Sequence, residues 1–264
     1  MLARTVRLVI LVALLASVSA AAALPGVAQD ATPSQDVAGT EVGGVTVLPP
    51  DATWGGATRG EWSGRMWQWV VSMPMEINPG FDTAGERCGY GQFGPVFFVP
   101  GAFVPDAFER TCVVPEGTAL YVSAGGSECS TVEPPPFFGR NEAELRACAT
   151  ANTDEIVELS LTINGEEVPD LDAYRTVSPM FTMTFGEDNF FGVPAGVALS
   201  VADDYSILVA PLPPGEYEFT GSTLFPGDDE PFVSTVRVIV VSPQIIEPPA
   251  ASPEAGTPMA SPAA

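Results

Sequence analysis

Twenty-seven prolines are spread along these 264 residues, and they argue against a helical fold. Each proline removes a backbone donor and clashes with the preceding turn of a helix. What lies between them reads mostly as strand. Pro95-Val-Phe-Phe-Val99 and Ala119-Leu-Tyr-Val122 are short apolar runs edged by Gly and Pro. Val157 to Ile163 places apolar side chains at alternate positions, with Glu, Ser and Thr between them, as a half-buried strand requires. Asn164-Gly165 then supplies a two-residue hairpin turn, because both residues tolerate positive φ. Met180–Phe185, Tyr205–Val209 and Val233–Val241 read as further strands, and Pro211–Gly215 as a rigid turn before an alternating Tyr217 segment. Short strands separated by turn signals predict a mainly β fold, a β-sandwich.

Two short helices interrupt the strands. Glu61 to Met73 carries Trp62, Met66, Trp69, Val70 and Met73 at helical spacing, and Pro74 stops it. The second begins at Asn141, a capping residue, with Glu144 three positions on and Leu145, Cys148 and Ala149 facing inward.

The N-terminus reads as a secretory signal over residues 1–28. Arg4 and Arg7 precede an apolar run from Leu8 to Ala16, and small residues lead to Ala28. A membrane anchor is the alternative, but the run is short and nothing downstream is long enough to span a bilayer. The mature chain is therefore expected to be secreted. Its four cysteines, Cys88, Cys112, Cys129 and Cys148, are even in number, which in an exported chain means two disulfides. Three pairings satisfy the count, and Cys88–Cys112 with Cys129–Cys148 closes the shortest loops. A four-thiolate metal site is disfavoured by the lack of any C-x-x-C pair. Residues 29–42 read as a disordered linker and 243–264 as a disordered tail, since neither can bury a core. Residues 43–242 form the β-rich region, as one domain or as two subdomains over 43–152 and 153–242.

Function classes are limited by what is missing. The chain has ten basic residues, all arginine, against 33 acids, and no histidine. Histidine-based triads, Schiff-base lysines and histidine-ligated zinc are excluded. Loss of Arg4 and Arg7 leaves a net charge of 8 − 33 = −25, which repels nucleic acid and anionic lipid.

The densest unusual segment runs from Trp54 to Cys112. Trp67, set off the Trp62–Trp69 stripe beside Gln68, has the residue types of a sugar-stacking platform, although packing into the core is the commoner use of such a ring. Asn78, Asp82 and Glu86 bring oxygens to one loop and suggest a weak calcium site, against ordinary turn and capping roles. Gln92 and Arg110 complete the candidate ligand set of Trp67, Gln68, Asn78, Asp82, Gln92 and Arg110. No cofactor is otherwise expected. Asp203-Asp204 and Asp228-Asp229-Glu230 read as solvated turns.

Trp67-Gln-Trp69, Asn78-Pro79, Asp82-Thr-Ala-Gly85, Cys88, Gly91-Gln-Phe-Gly-Pro-Val-Phe-Phe-Val99, Arg110-Thr-Cys112, Glu128-Cys129-Ser130 and the late Pro211-Leu-Pro-Pro-Gly215 follow in fixed order. The pattern resembles a family of uncharacterised exported bacterial proteins over roughly residues 62–241. The resemblance implies a shared fold and export, and no activity. Three functions remain in play: a non-catalytic module binding carbohydrate or an extracellular surface partner, a carboxylate-based glycoside hydrolase, and a structural envelope protein.

Overall fold

The computed structural model describes residues 38–99, 101–104 and 106–242. The expected signal peptide, most of the expected linker and the expected tail lie outside the described residues. The linker expectation fails at its end. Thr40–Val42 forms strand β1, an antiparallel hairpin with β2 (Val45–Val47). Val42 is buried in the core, which is what holds this segment in the sheet.

The fold is mainly β. Two sheets stack as a sandwich, and two α-helices and two disulfides fasten it. The remaining strands are the short pair β3 (Thr53–Trp54) and β4 (Ala57–Thr58), then β5 (Val96–Val99), β6 (Phe108–Pro115) and β7 (Ala119–Ser130). They continue with β8 (Glu158–Ile163), β9 (Glu166–Glu167), β10 (Arg175–Val177) and β11 (Phe181–Phe185). The last three are β12 (Gly196–Val209), β13 (Gly215–Leu224) and β14 (Phe232–Val241). The first sheet runs β1-β2-β12-β7-β5, with β10 and β11 also paired to β12. The second runs β6-β14-β13-β8-β9, its β6–β14 pair being parallel.

Sequence pattern follows layer. In β5, Phe97 and Val99 enter the core between the sheets, whereas Val96 and Phe98 enter a second core on the opposite face. β7 divides the same way, with Leu120 and Val122 on one side and Ala119 and Tyr121 on the other. Both faces of the first sheet are covered, so its strands read as unbroken apolar runs. The second sheet has one wet face. In β14, Val236, Val238 and Val240 are buried between more exposed neighbours. The Asn164-Gly165 hairpin joins β8 to β9 with φ of 50° and 81°.

Helix α1 (Arg59–Val71) covers the second core. Thr58 caps it: its hydroxyl accepts from the Glu61 N–H, and the Glu61 carboxylate accepts from the Thr58 N–H at 2.7 Å. Helix α2 (Glu142–Thr153) is capped by Asn141 and packs Leu145 and Ala149 against Cys129 and Val201. The disulfides are Cys88–Cys112 and Cys129–Cys148. The first ties the loop before β5 to β6, and the second ties α2 to β7.

A division into two subdomains near residue 152 does not hold. β6 and β7 pair with β14 and β12, so both sheets draw strands from each side of that point. The expected turn at Asp203-Asp204 is also corrected, because both residues lie buried inside β12.

Candidate functional site

α1 and its C-cap Ser72 present Trp62, Arg65, Trp69 and Ser72 along one side, about one helical turn apart. Opposite stands the loop Gly91–Pro95. Together they enclose a groove of about 670 Å³, floored by Trp62, Trp69 and Phe98. Arg65, Gln68 and Ser72 form the helical wall, and Phe93, whose side is 80% exposed, forms the lip of the loop wall.

Each wall is fixed by hydrogen bonds. The Trp62 indole N–H donates to the Trp54 carbonyl at 2.9 Å, and that of Trp69 to the Tyr90 carbonyl at 2.9 Å. The loop is folded by Gln92, whose amide donates to the carbonyls of Cys88 (3.0 Å) and Phe98 (2.8 Å) and accepts from the Phe98 N–H (3.0 Å). Gly91 lets the loop pass over Trp69: its φ is +62°, and a Cβ there would lie 3.3 Å from the indole nitrogen. The Arg65 guanidinium lies 4.4 Å above the Trp62 ring.

The sequence-derived ligand set is largely corrected by this geometry. Only Gln68 lines the groove, and its amide also donates to the Thr182 carbonyl at 2.7 Å. Trp67 is 9% exposed and packs toward Phe103, with ring centroids 6.1 Å apart. It lies on the far side of α1, so it is no platform. Asn78 is wholly buried; its amide donates to the Val70 carbonyl at 2.6 Å and its oxygen accepts from the Gly80 N–H at 2.8 Å. Asp82 accepts from the backbone N–H groups of Ala84, Gly85 and Arg87. Arg110 donates to the Pro79 carbonyl at 2.7 Å and to the Gly101 carbonyl at 3.3 Å, and burial lowers its pKa to about 10. Gln92 folds the groove's loop, whereas Asn78, Asp82 and Arg110 fix the preceding 78–88 segment. The Asn78 oxygen and both Asp82 oxygens bond backbone N–H groups, and Glu86 of the calcium reading is exposed. Among the described residues, no group of three or more acids or cysteines is placed to hold a metal ion.

Sequence reasoning assigned Trp62 and Trp69 to packing and did not single out Arg65 or Phe93 as ligand residues. The available signal was the spacing 62, 65, 69, 72, which sets an arginine and a serine beside the tryptophan stripe.

Two acidic clusters are closed to solvent. Asp204 accepts from the Tyr121 hydroxyl at 2.9 Å and from the Ser63 hydroxyl, and burial raises its pKa. Asp203 accepts from Arg175 Nε at 3.0 Å and from a terminal guanidinium nitrogen at 2.8 Å. Glu128 and Glu133 are 2% and 3% exposed and lie near enough to influence each other's ionisation. One oxygen of each, Glu128 Oε1 and Glu133 Oε2, lacks a hydrogen-bond partner among the described residues. Burial pushes both pKa values up, Glu128 well above the usual carboxylate range, and the neighbouring acid adds to the shift at Glu128. This pair has the chemistry of an acid catalyst but no open approach for a substrate.

No protein-family model and no curated protein matches the chain. Among solved structures, a cysteine protease inhibitor from Entamoeba histolytica, EhICP2, is 12% identical with a TM-score of 0.19, covering 52% of this chain and 88% of its own. The inhibitor PbICP-C, in complex with falcipain-2, is 10% identical with a TM-score of 0.22, covering 57% and 100%. Amebosin is 14% identical with a TM-score of 0.18, covering 52% and 100%. Scores this low carry no argument for fold or function.

Proposed function

We propose that this chain is an exported, non-catalytic binding module whose ligand seat is the groove between α1 and the Gly91–Pro95 loop, and whose ligand is a carbohydrate. The make-up of that groove carries the proposal. Its floor is three largely buried aromatic rings, and the exposed ring of Phe93 stands at its lip. The other wall carries the Arg65 guanidinium beside the Gln68 amide and Ser72 hydroxyl, which also donate to the carbonyls of Thr182 and Trp69. Sugar rings have an apolar face that stacks on aromatic rings and a hydroxyl rim that bonds to such groups. Export is supported by the signal-like residues 1–28 and by two disulfides, which are consistent with an extracellular protein. The motif resemblance to exported bacterial proteins points the same way. No helix among the described residues is long and apolar enough to cross a membrane.

The hydrolase reading needs two carboxyl groups facing the ligand. None of the side chains lining the groove is Asp or Glu, and the Glu128–Glu133 pair is buried. A purely structural envelope role leaves the groove without a use. The test is a glycan array followed by calorimetry with Phe93→Ala, a change at an exposed site that should leave folding intact. The variant should lose about tenfold in affinity, roughly 1.4 kcal/mol. Unchanged binding would place the ligand elsewhere, and no glycan signal at millimolar concentration would exclude carbohydrate.

A further inference from the structure

We infer that the groove selects an acidic saccharide, a sugar ring bearing a carboxylate, and that Arg65 reads the charge. This rests on the groove being the ligand seat. The chain has ten arginines against 33 acids, and eight of the ten fall among the described residues. Six of those eight spend their guanidinium groups within the protein. Arg59 and Arg110 donate to buried backbone carbonyls. Arg87, Arg146, Arg175 and Arg237 pair with carboxylates. Arg140 is exposed and lines none of the described grooves. Arg65 has no hydrogen bond or ion pair among the described residues, yet it is held in place by its stack on Trp62 at 4.4 Å.

The nearest acid in the helix, Glu61 one turn back, attracts it at a distance but makes no ion pair with it. The Glu61 carboxylate is committed to the Thr58 N–H at 2.7 Å and the Thr58 hydroxyl at 2.9 Å. Those bonds, with a smaller contribution from the Arg65 charge, hold its pKa below the ordinary value. A fork of guanidinium donors therefore stands over an aromatic floor, oriented and uncommitted. A carboxylate is the group that such a fork bonds in bidentate fashion. The chain's overall negative charge opposes an anion at long range. At physiological salt that repulsion is screened beyond about 8 Å, so the contact at Arg65 decides.

Arg65 and Gln68 also border a second, smaller hollow of about 240 Å³, on the side of Met180 and Phe181. Glu61 is a lining residue there as well, so an acid is favoured at Arg65 and not deeper in that hollow. The two hollows share the Arg65 and Gln68 side chains, so a ligand lying in both crosses the α1 ridge at Arg65. An oligosaccharide longer than one ring, with its acid at that crossing, meets this shape.

The experiment is an array that pairs uronic-acid and sialic-acid glycans with their neutral methyl esters, followed by calorimetry of the best pair at about 0.15 M salt. The free acid should bind about tenfold tighter than its ester. Arg65→Gln should bring the acid-to-ester affinity ratio to about one, whatever it does to the ester's own affinity. Arg65→Lys, which keeps the charge and loses the fork, should retain part of the preference. Phe93→Ala should weaken acid and ester equally. Equal binding of acid and ester, or a preference that survives Arg65→Gln in folded protein, overturns the inference while leaving the groove reading intact. Insensitivity to Phe93→Ala, or no signal on the array, removes both.

Discussion

Replacing Glu128 with Gln should make the protein less sensitive to alkali. In the folded state Glu128 and Glu133 are buried neighbours, and the Ser200 hydroxyl donates to the Glu128 carboxyl. Ionising both acids would bury two neighbouring like charges, which the desolvation of each and their mutual repulsion oppose. The folded pair therefore keeps one proton that the unfolded chain releases above about pH 4.3. Because the folded pKa is raised, this contribution is fully present below the unfolded pKa. It is lost as pH rises toward the folded one, by about 1.4 kcal/mol per pH unit. In a domain of this size that lowers the melting temperature by about 3–5 °C per pH unit. Glu128→Gln substitutes an amide donor that does not ionise. Asp204, whose pKa burial also raises, is present in both proteins and cancels in their difference. With no histidine in the chain, few other groups titrate between pH 5 and 8. Melting curves of both proteins from pH 4.5 to 8, followed by circular dichroism, should show the variant gaining on the wild type as pH rises. Parallel curves would refute the retained-proton reading.

Two further outcomes concern the groove's scaffold. Asn78→Ala leaves the Val70 carbonyl and the Gly80 N–H without their buried partner, and should cost about 2–3 kcal/mol. The thermal midpoint should fall by roughly 4–10 °C, with glycan affinity unchanged in the protein that remains folded; a specific loss of affinity would restore Asn78 as a ligand residue. Gly91→Ala places a side chain at φ +62° against Trp69. It should cost about 1–2 kcal/mol in denaturant titrations and also weaken glycan binding, because the loop wall must shift. A neutral effect on both would mean that the loop does not shape the groove.

Much of the architecture is legible in the chain alone because it is local. Proline placement and alternation set β8, β11 and β14, the Asn164-Gly165 pair sets a hairpin, and Pro74 limits the run of α1. The even cysteine count with its spacing sets both disulfides. The candidate site is different in kind. Asn78, Asp82, Gln92 and Arg110 look like ligand residues in sequence because polar groups crowd one loop. Only the folded backbone shows that carbonyls and N–H groups from Val70, Pro79, Phe98 and Gly101 use them up. Asp203 and Asp204 look like a solvated turn because two adjacent acids have no local means of being buried. Arg175, Tyr121 and Ser63, brought by other elements, supply the partners that keep them inside β12. Sequence by itself determined the class of fold, its crosslinks and the chemistry it cannot perform, since these depend on composition and on neighbours a few residues apart. Tertiary structure decided which polar side chains are spent and which stay free, because a buried group's partner can come from anywhere in the chain. That accounting is what leaves Arg65, above Trp62, facing an open groove.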